Sequence, residues 1–194
     1  MPELPEVETT KRGIEPYVKD QIIKKILVRN NRLRSPLNKK LIKKIINVDI
    51  AEIKRRAKYI IFDFVNGYSV VIHLGMTGNL RVSKKIKYLK HDHIIFNLSS
   101  GNALIYNDVR RFGLIQIYKT AESFFLLDNN GPDPFEEEAN PDYLFNRIKN
   151  STASIKSILL NHKIISGIGN IYASEILFAT NISPTRIGKE VSFD

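Results

Sequence analysis

Short apolar segments separated by polar breaks fill the middle of the chain. Some are apolar throughout and others alternate apolar with polar residues, as strands do. Eight strands are predicted, at residues 21–29, 48–54, 59–65, 68–74, 79–82, 93–98, 103–106 and 114–118. Asn66-Gly67 predicts a two-residue hairpin turn, and residues 99–102 predict a longer turn. Strands at this spacing indicate a sandwich or a barrel.

Helical patterns flank this β-rich region. Residues 4–14 predict a first helix that ends near Gly13 and Pro16. Apolar residues three and four positions apart predict helices at 141–149, 154–160 and 170–179, and residues 41–46 predict one short helix. The turn-forming run 128–134 predicts a linker between two domains, 1–131 and 132–194. The predicted fold class is α+β, an N-terminal helix and β-sandwich followed by a helical domain.

The charge balance indicates a nucleic-acid partner. Thirty Lys and Arg exceed 20 Asp and Glu, which gives a net charge of +10 and a pI near 9.7. Anionic membranes would also attract this charge, but no apolar run could span a bilayer and the acidic N-terminus is not a signal peptide. We therefore expect a cytoplasmic protein without a membrane partner. The absence of cysteine excludes disulfides and thiolate metal sites.

The first residues, MPELPEVET, offer an unusual nucleophile. Removal of Met1 would leave Pro2 as a free secondary amine, and an α-amino group titrates near 7.7–8.0, against about 10.4 for lysine. Its adduct with a sugar carbon is an iminium without an N–H, so the retained charge favours elimination. Glu3 is placed for acid–base work, and Glu6 is a supporting carboxylate. The same residues also fit ordinary helix capping.

The run PELPEVETT, followed by KRGIEP, resembles the opening of the bacterial formamidopyrimidine-DNA glycosylases, which excise oxidised purines such as 8-oxoguanine. The endonuclease VIII group typically reads PEGPE, so Leu4 favours the first family. The resemblance covers essentially the whole chain, and it implies a β-sandwich followed by a helix-two-turn-helix domain.

The resemblance also implies two further helices and a zinc finger with four cysteines. This chain ends at Asp194 and has no cysteine. We therefore expect an incomplete helix-two-turn-helix domain, no zinc finger and no cofactor in this chain. Ile182, Ile187, Val191 and Phe193 are expected to lack packing partners and to be exposed.

A basic run spans residues 54–59. On a strand, alternate residues share a face, so Lys54, Arg56 and Lys58 would line one side, although a charge cluster also fits a solvated face. The resemblance implies a phosphate-gripping lysine at Lys58, which we count with the catalytic residues of the N-terminus. It also implies a phosphate contact at His73, where a structural histidine is the alternative.

Two glycine-containing motifs, HLGMTG at 73–78 and DVRRFG at 108–113, predict exposed loops. Glycines on both sides of Met76 permit a tight turn that pushes the thioether outward, although methionine is more often a core residue. An enzyme that flips a nucleotide out of the duplex must fill the hole that remains. The resemblance implies that Met76, Arg110 and Phe112 fill it and that Arg111 binds a phosphate.

His91-Asp92-His93 could place two imidazoles on one strand face as metal ligands. No third ligand is evident nearby, so we expect no metal site. The resemblance makes His91 a candidate DNA contact.

The run ISGIGNIYASE at 165–175 places glycines ahead of a helix, where backbone N–H groups can approach a phosphate. Asn170 is either the N-cap of that helix or a direct phosphate donor. The resemblance implies that Asn170 and Lys156 clamp DNA.

The leading hypothesis is a bifunctional DNA glycosylase and apurinic-site lyase of base excision repair, a monomer in the bacterial cytoplasm at the nucleoid. Its partner would be double-stranded DNA with oxidised purines or abasic sites. Three alternatives remain: an endonuclease VIII-like enzyme for oxidised pyrimidines, a non-catalytic fragment that binds damaged DNA, and a tautomerase-like enzyme using N-terminal proline. The last explains neither the basic surface nor the loop motifs.

Overall fold

The computed structural model describes residues 2–85, 87–125 and 129–193. Met1, for which removal is predicted, and Asp128, where the predicted linker begins, lie outside the described residues. The chain divides into two compact units, Met1–Leu126 and Leu127–Asp194. The domain limits at residues 131 and 132 stay a prediction.

The first helix, α1, runs over Leu4–Val18. The predicted end near Gly13 and Pro16 is wrong, because the helix continues through Pro16 for two further residues. Ile14 and Val18 are 4% and 0% exposed, so the last turn packs against the core. A proline this close to the end removes one intrahelical hydrogen bond, and burial of the neighbouring side chains offsets that loss.

All eight predicted strands are present, and they form the predicted sandwich. Two four-stranded sheets are antiparallel throughout, with strand orders β1-β6-β7-β5 and β2-β3-β4-β8. Inward-facing residues of both sheets alternate along the strands and form one continuous core. The strands are β1 Ile23–Val28, β2 Ile50–Arg56, β3 Tyr59–Phe64, β4 Tyr68–His73, β5 Gly78–Ser83, β6 Asp92–Leu98, β7 Ala103–Asp108 and β8 Leu114–Lys119.

The hairpin between β3 and β4 is confirmed, but its turn differs from the predicted one. Val65 and Asn66 occupy the central positions, since the Gly67 N–H donates to the Phe64 carbonyl at 3.1 Å. Gly67 follows in the left-handed region with φ +77°. The longer turn predicted at 99–102 joins β6 to β7.

Two short helices complete this unit. Helix α2 covers Lys39–Ile42, so it starts before the predicted range 41–46, because the Asn38 side chain caps it by accepting the Lys40 N–H. Helix α3 covers Thr120–Phe125 and was not predicted. No helix among the described residues combines the length and apolar character that crossing a membrane requires.

The second unit contains the predicted helices around a small apolar cluster. Its elements are α4 Pro141–Ile148, α5 Ile155–Leu159, α6 Asn170–Ala179 and a 3-10 turn at Gly188–Glu190. The buried cluster consists of Ile148, Ile155, Ile158, Leu159, Ala173 and Leu177. The unit therefore has its own core.

The expected exposure of apolar residues after α6 is largely wrong. Ile182 and Val191 pack against the helical cluster, and Ile187 is half-buried in a bridge to Ser154. Only Phe193 is exposed, at 54%. The segment folds back over the helices, which is why local sequence gave the opposite expectation.

Candidate functional site

The start of α1 is fixed by two neighbouring acids. Glu3 and Glu6 form a capping box, in which the Glu3 N–H donates to Glu6 Oε2 at 2.9 Å. Glu3 is 1% exposed, whereas Pro2 beside it is half-buried. Pro2 thus directly precedes a capped helix and retains partial access to solvent.

Lys58 lies on the two-residue turn between β2 and β3, where Arg56 pairs with Tyr59. The prediction that Lys58 shares a strand face with Lys54 and Arg56 is wrong, because β2 ends at Arg56 and Ala57 turns the chain with φ +51°. Burial lowers the pKa of Lys58, and the Glu3 carboxylate nearby partly offsets this. We call Pro2, Glu3 and Lys58 the helix-start corner.

A half-buried ion pair between Glu8 and Arg55 braces this corner. The Glu8 carboxylate of α1 accepts hydrogen bonds from Arg12 Nε at 2.7 Å and Arg55 Nε at 2.9 Å. Arg55 also donates from Nη1 to the Ala57 carbonyl at 3.0 Å, inside the turn that carries Lys58. Burial opposes ionisation of Glu8, but the two arginines outweigh it and lower its pKa. Helix α1 and the turn are therefore tied together through Arg55.

His73 ends β4 next to the same turn, and its ring lies 4.9 Å from the ring of Tyr59. Its Nδ1 accepts the Gly75 N–H at 3.0 Å, which assigns the proton of the neutral ring to Nε2. Burial lowers the pKa of His73 to about 4, helped by the positive charges of Arg34 and Lys58. His73 is thus an uncharged hydrogen-bond donor near neutral pH.

Residues 75–77 and 109–113 form two adjacent loops, which we call the wedge loops. Met76 and Phe112 are 39% and 47% exposed at their tips. The Arg110 guanidinium carbon lies 4.6 Å from the centre of the Phe112 ring, a cation–π contact. The structure therefore brings the three predicted void-filling residues onto neighbouring loops.

One buried carboxylate, Asp108, supports both wedge loops. It accepts hydrogen bonds from the Thr77 hydroxyl at 2.5 Å, the Tyr106 hydroxyl at 3.1 Å and the Gly113 N–H at 2.9 Å. Thr77 in turn accepts the Arg110 N–H at 3.0 Å. Asp108 is 0% exposed, and the sequence motif containing it gave no sign of this role.

Two glycines allow close approaches at the wedge loops. A Cβ on Gly75, which has φ +63°, would lie 2.5 Å from the Phe112 carbonyl carbon on the other loop. A Cβ on Gly113 would meet the Tyr106 hydroxyl and would lie 2.7 Å from the His73 carbonyl oxygen at the end of β4. The backbones of the two loops therefore approach each other directly at Gly75, and Gly113 packs against the ends of β4 and β7.

A cavity of about 760 Å³ opens beside the wedge loops. Its lining is mostly basic or aromatic, and it consists of Arg32, Arg34, His73, Gly75, Met76, Arg110, Arg111 and Phe112. Five of the predicted site residues therefore share one cavity. Arg32 and Arg34 were not predicted as site residues, because the only local signal was two arginines flanking a leucine.

Two residues of the run His91-Asp92-His93 make structural contacts within the sandwich. His93 is buried with Nε2 2.7 Å from the Asp108 carbonyl oxygen, and Asp92 forms a bidentate pair with Arg81 at 2.7 Å. His91 is half-buried with its ring 6.4 Å from that of His93, and its DNA contact stays a prediction. Within residues 2–85, 87–125 and 129–193 no group of three His, Cys, Asp or Glu could hold a metal ion. With no cysteine, these 194 residues do not fit the zinc finger that the resemblance implies.

The second unit brings its two predicted DNA contacts together. Lys156 Nζ donates to Ser174 Oγ at 3.0 Å, and Ser174 Oγ donates to the Asn170 carbonyl at 2.9 Å. Gly169 is the N-cap of α6, so the N-cap alternative for Asn170 is wrong. Asn170 is the exposed first residue of the helix, and its role in donating a hydrogen bond to a DNA phosphate stays a prediction.

Known proteins resemble the whole chain. Residues 1–115 match the formamidopyrimidine-DNA glycosylase N-terminal domain, and residues 130–194 match the H2TH domain of the same glycosylases. The chain is 44% identical over 188 residues to the formamidopyrimidine-DNA glycosylase of Hydrogenovibrio crunogenus, covering 96% of this chain and 67% of that protein. It is 42% identical to the Rickettsia africae enzyme of the same name, covering 100% of this chain and 72% of that protein.

A solved structure agrees with these matches. Lactococcus lactis Fpg in complex with DNA containing an abasic site superposes with a TM-score of 0.90 at 32% identity, covering 98% of this chain and 71% of that one. The predicted fold class, a sandwich followed by a helix-two-turn-helix domain, is thereby confirmed.

Proposed function

The chain belongs to the formamidopyrimidine-DNA glycosylase family, and on this premise we propose that it excises oxidised purines from double-stranded DNA as a glycosylase and apurinic-site lyase. The observation that carries the proposal is the meeting of the helix-start corner, His73 and the wedge loops at one end of the sandwich. Such a reaction requires a nucleophile, groups that donate hydrogen bonds to DNA phosphates, and side chains that fill the space left by the flipped nucleotide.

The reaction begins at the N-terminal amine. Pro2 attacks C1′ of the flipped nucleotide, and Glu3 delivers a proton that either opens the sugar ring at O4′ or assists departure of the base. The proton released from the Pro2 nitrogen neutralises the other leaving atom. The resulting iminium withdraws electrons from the sugar, so a C2′ proton is lost and the bond to the 3′ phosphate oxygen breaks. Loss of the C4′ proton in a second elimination breaks the bond between C5′ and the 5′ phosphate oxygen, and hydrolysis of the iminium then releases Pro2.

The charges at the site favour these reaction steps. Lys58 is partly desolvated and lies within the field of Glu3, so it is suited to hold a phosphate beside the reacting sugar. Neutral His73 offers Nε2–H without adding charge. Arg111 lines the same cavity and would bind a further phosphate.

Met76, Arg110 and Phe112 would occupy the space left by the flipped nucleotide. Apolar tips can enter the base stack, while the guanidinium can hydrogen-bond to the orphaned base. Lys156 and Asn170 of the second unit would bind phosphates of the DNA backbone. We expect a monomer that works on chromosomal DNA in the bacterial cytoplasm, and we assign no step to a cofactor.

Borohydride trapping on a duplex with one 8-oxoguanine tests the proposal. Protein with a free Pro2 should form a covalent complex with DNA and cut the strand, and N-terminal acetylation should abolish both. The variant Pro5→Ala is the matched control, since it alters a nearby proline in the first turn of α1 without touching the amine. It should still be trapped.

Two results would overturn the proposal. Salt-dependent binding without trapping would identify a non-catalytic DNA-binding protein. Faster excision of thymine glycol than of 8-oxoguanine would identify an enzyme for oxidised pyrimidines.

A further inference from the structure

We infer that residues 32–44 form a second phosphate-binding surface, which holds the duplex on one side of the lesion. This inference rests on the proposed function, because it extends the DNA path beyond the cavity at the wedge loops. We call this surface the basic track. It carries six positive side chains and no acid: Arg32, Arg34, Lys39, Lys40, Lys43 and Lys44.

Apolar residues fix the basic track to the core at every fourth position. Leu33, Leu37 and Ile45 are 8%, 2% and 0% exposed, and Leu41 packs against the same core. The lysines between them are exposed. The backbone of the track is therefore held in place while its charges face solvent.

Three hydrogen bonds trace the path of the track along the β2-β3-β4-β8 sheet. The Arg34 N–H donates to the Gly113 carbonyl at 3.1 Å, at the wedge loops. Gln116 Nε2 on β8 donates to the Pro36 carbonyl at 2.7 Å. Asn66 Nδ2 donates to the Lys44 carbonyl at 2.6 Å, at the β3–β4 turn.

That path runs from the cavity to the opposite end of the sheet. Strands β3, β4 and β8 each have six residues, so the track covers about 20 Å at about 3.3 Å per residue. This length corresponds to about six nucleotides of one strand, at about 3.4 Å each. The lysines thus lie where a duplex leaving the cavity in this direction would place its backbone.

The four lysines are not neutralised within the protein. Among the described residues no ion pair involves Lys39, Lys40, Lys43 or Lys44. The four exposed lysines lie within six consecutive residues, so their positive charges repel one another. A polyanion would relieve this repulsion.

The pattern favours DNA over a membrane surface. A helix that lies on a membrane turns its apolar face into the lipid, but the apolar residues of this segment face the protein core. The track also continues from a cavity already lined by Arg32 and Arg34. Both observations favour the basic track as a binding surface for DNA phosphates.

The test compares two variants of equal charge. One replaces the track lysines (Lys39→Gln, Lys40→Gln, Lys43→Gln and Lys44→Gln). The other replaces exposed lysines elsewhere (Lys19→Gln, Lys24→Gln, Lys25→Gln and Lys85→Gln). Binding to duplexes with an abasic-site analogue is measured over a range of salt concentrations, and thermal unfolding verifies that both variants fold.

Duplex length makes the test specific. With about four base pairs on each side of the lesion, less than the track spans, all three proteins should bind equally. Extension on one side only, by about eight base pairs, should strengthen binding of the wild type and the control variant. The track variant should lose this gain, about tenfold, and its slope of log K against log salt should fall by about 2 to 4. Extension on the other side should not distinguish the proteins.

Equal binding of the track variant and the wild type on every duplex would overturn the inference. So would an equal loss in both variants, which would indicate net charge alone. Reduced binding of the track variant to phosphatidylserine vesicles, with DNA binding intact, would assign the surface to a membrane. Trapping of the wild type on the short duplex is scored separately, so failure of the proposed chemistry is distinguishable from failure of the track.

Discussion

The helix-start corner and the wedge loops lie at the same end of the sandwich but are built in opposite ways. In the corner Glu3 is buried at 1% exposure, and Pro2 and Lys58 are half-buried. In the wedge the functional tips are exposed and only their support, Asp108, is buried. Groups that exchange protons need a fixed, partly dry setting, whereas groups that enter a duplex need reach on a rigid base.

The largest effect on stability is expected where the support of the wedge is removed. Asp108→Ala leaves buried donors of Tyr106 and Gly113 without an acceptor, so the free energy of unfolding should fall by about 3 to 5 kcal/mol. Urea unfolding measures it. Asp142→Ala, at an exposed aspartate of α4, should change stability by less than about 0.5 kcal/mol. A loss at Asp108 no larger than that of the control would show that the wedge does not depend on its buried carboxylate.

A smaller effect is expected from pH, acting on His73 between the two regions. Its folded pKa of about 4 lies below the unfolded value near 6.5, so the unfolded chain takes up the proton first as pH falls. The stabilisation is complete above pH 6.5 and is lost progressively toward pH 4. Between pH 7.5 and 5 this amounts to about 2 kcal/mol. The free energy of unfolding, measured by urea titration at several pH values, should fall more steeply toward low pH for the wild type than for His73→Gln. Parallel pH profiles for the two proteins would contradict the lowered pKa of His73.

The brace of the corner should matter less for stability than for chemistry. Arg55→Ala removes a hydrogen bond to Glu8 and one to Ala57, and we expect a loss of about 1 to 2 kcal/mol with about tenfold slower borohydride trapping. Arg12→Ala is the matched control, because Arg12 also pairs with Glu8 but is 76% exposed, against 12% for Arg55. It should cost less than about 0.5 kcal/mol and leave trapping unchanged. Equal trapping rates in the two variants would remove Arg55 from the site.

The smallest stability change is expected at the wedge tip. Phe112→Ala should alter unfolding by less than about 0.5 kcal/mol, since the ring is half exposed. Binding of duplex with an abasic-site analogue should nevertheless weaken by about tenfold, because the void in the stack is no longer filled. Val109→Ala changes an exposed residue of the same loop that does not line the cavity, and it should bind as the wild type does. Equal binding by both variants would contradict the wedge role.

Regular elements were predictable because their signals are local. Alternation located all eight strands, and helix 170–179 was predicted with the bounds that the structure has. Residues 55–58 lay between two predicted strands, but the shared strand face of Lys54, Arg56 and Lys58 was wrong because nothing nearby marks a tight turn. Ala57 adopts a left-handed conformation that usually calls for glycine or asparagine. The end of α1 was misjudged because burial of Val18 outweighs the local penalty of Pro16.

The supporting contacts of the site were not predictable from spacing. Asp108 meets Thr77 across 31 positions of sequence, and Arg55 meets Glu8 across 47. Such partners become neighbours only once the sheets pair and α1 docks on them. Motif resemblance located the residues at the tips, but the residues that hold those tips emerge from the fold.

The close approach of the Gly75 backbone to that of Phe112 joins the two wedge loops to each other. An enzyme whose wedge loops are joined in this way would not inspect base pairs by closing one loop as a flap. It would press a fixed shape against passing DNA, and the pace of its search for damage would then be set by how readily each base step yields.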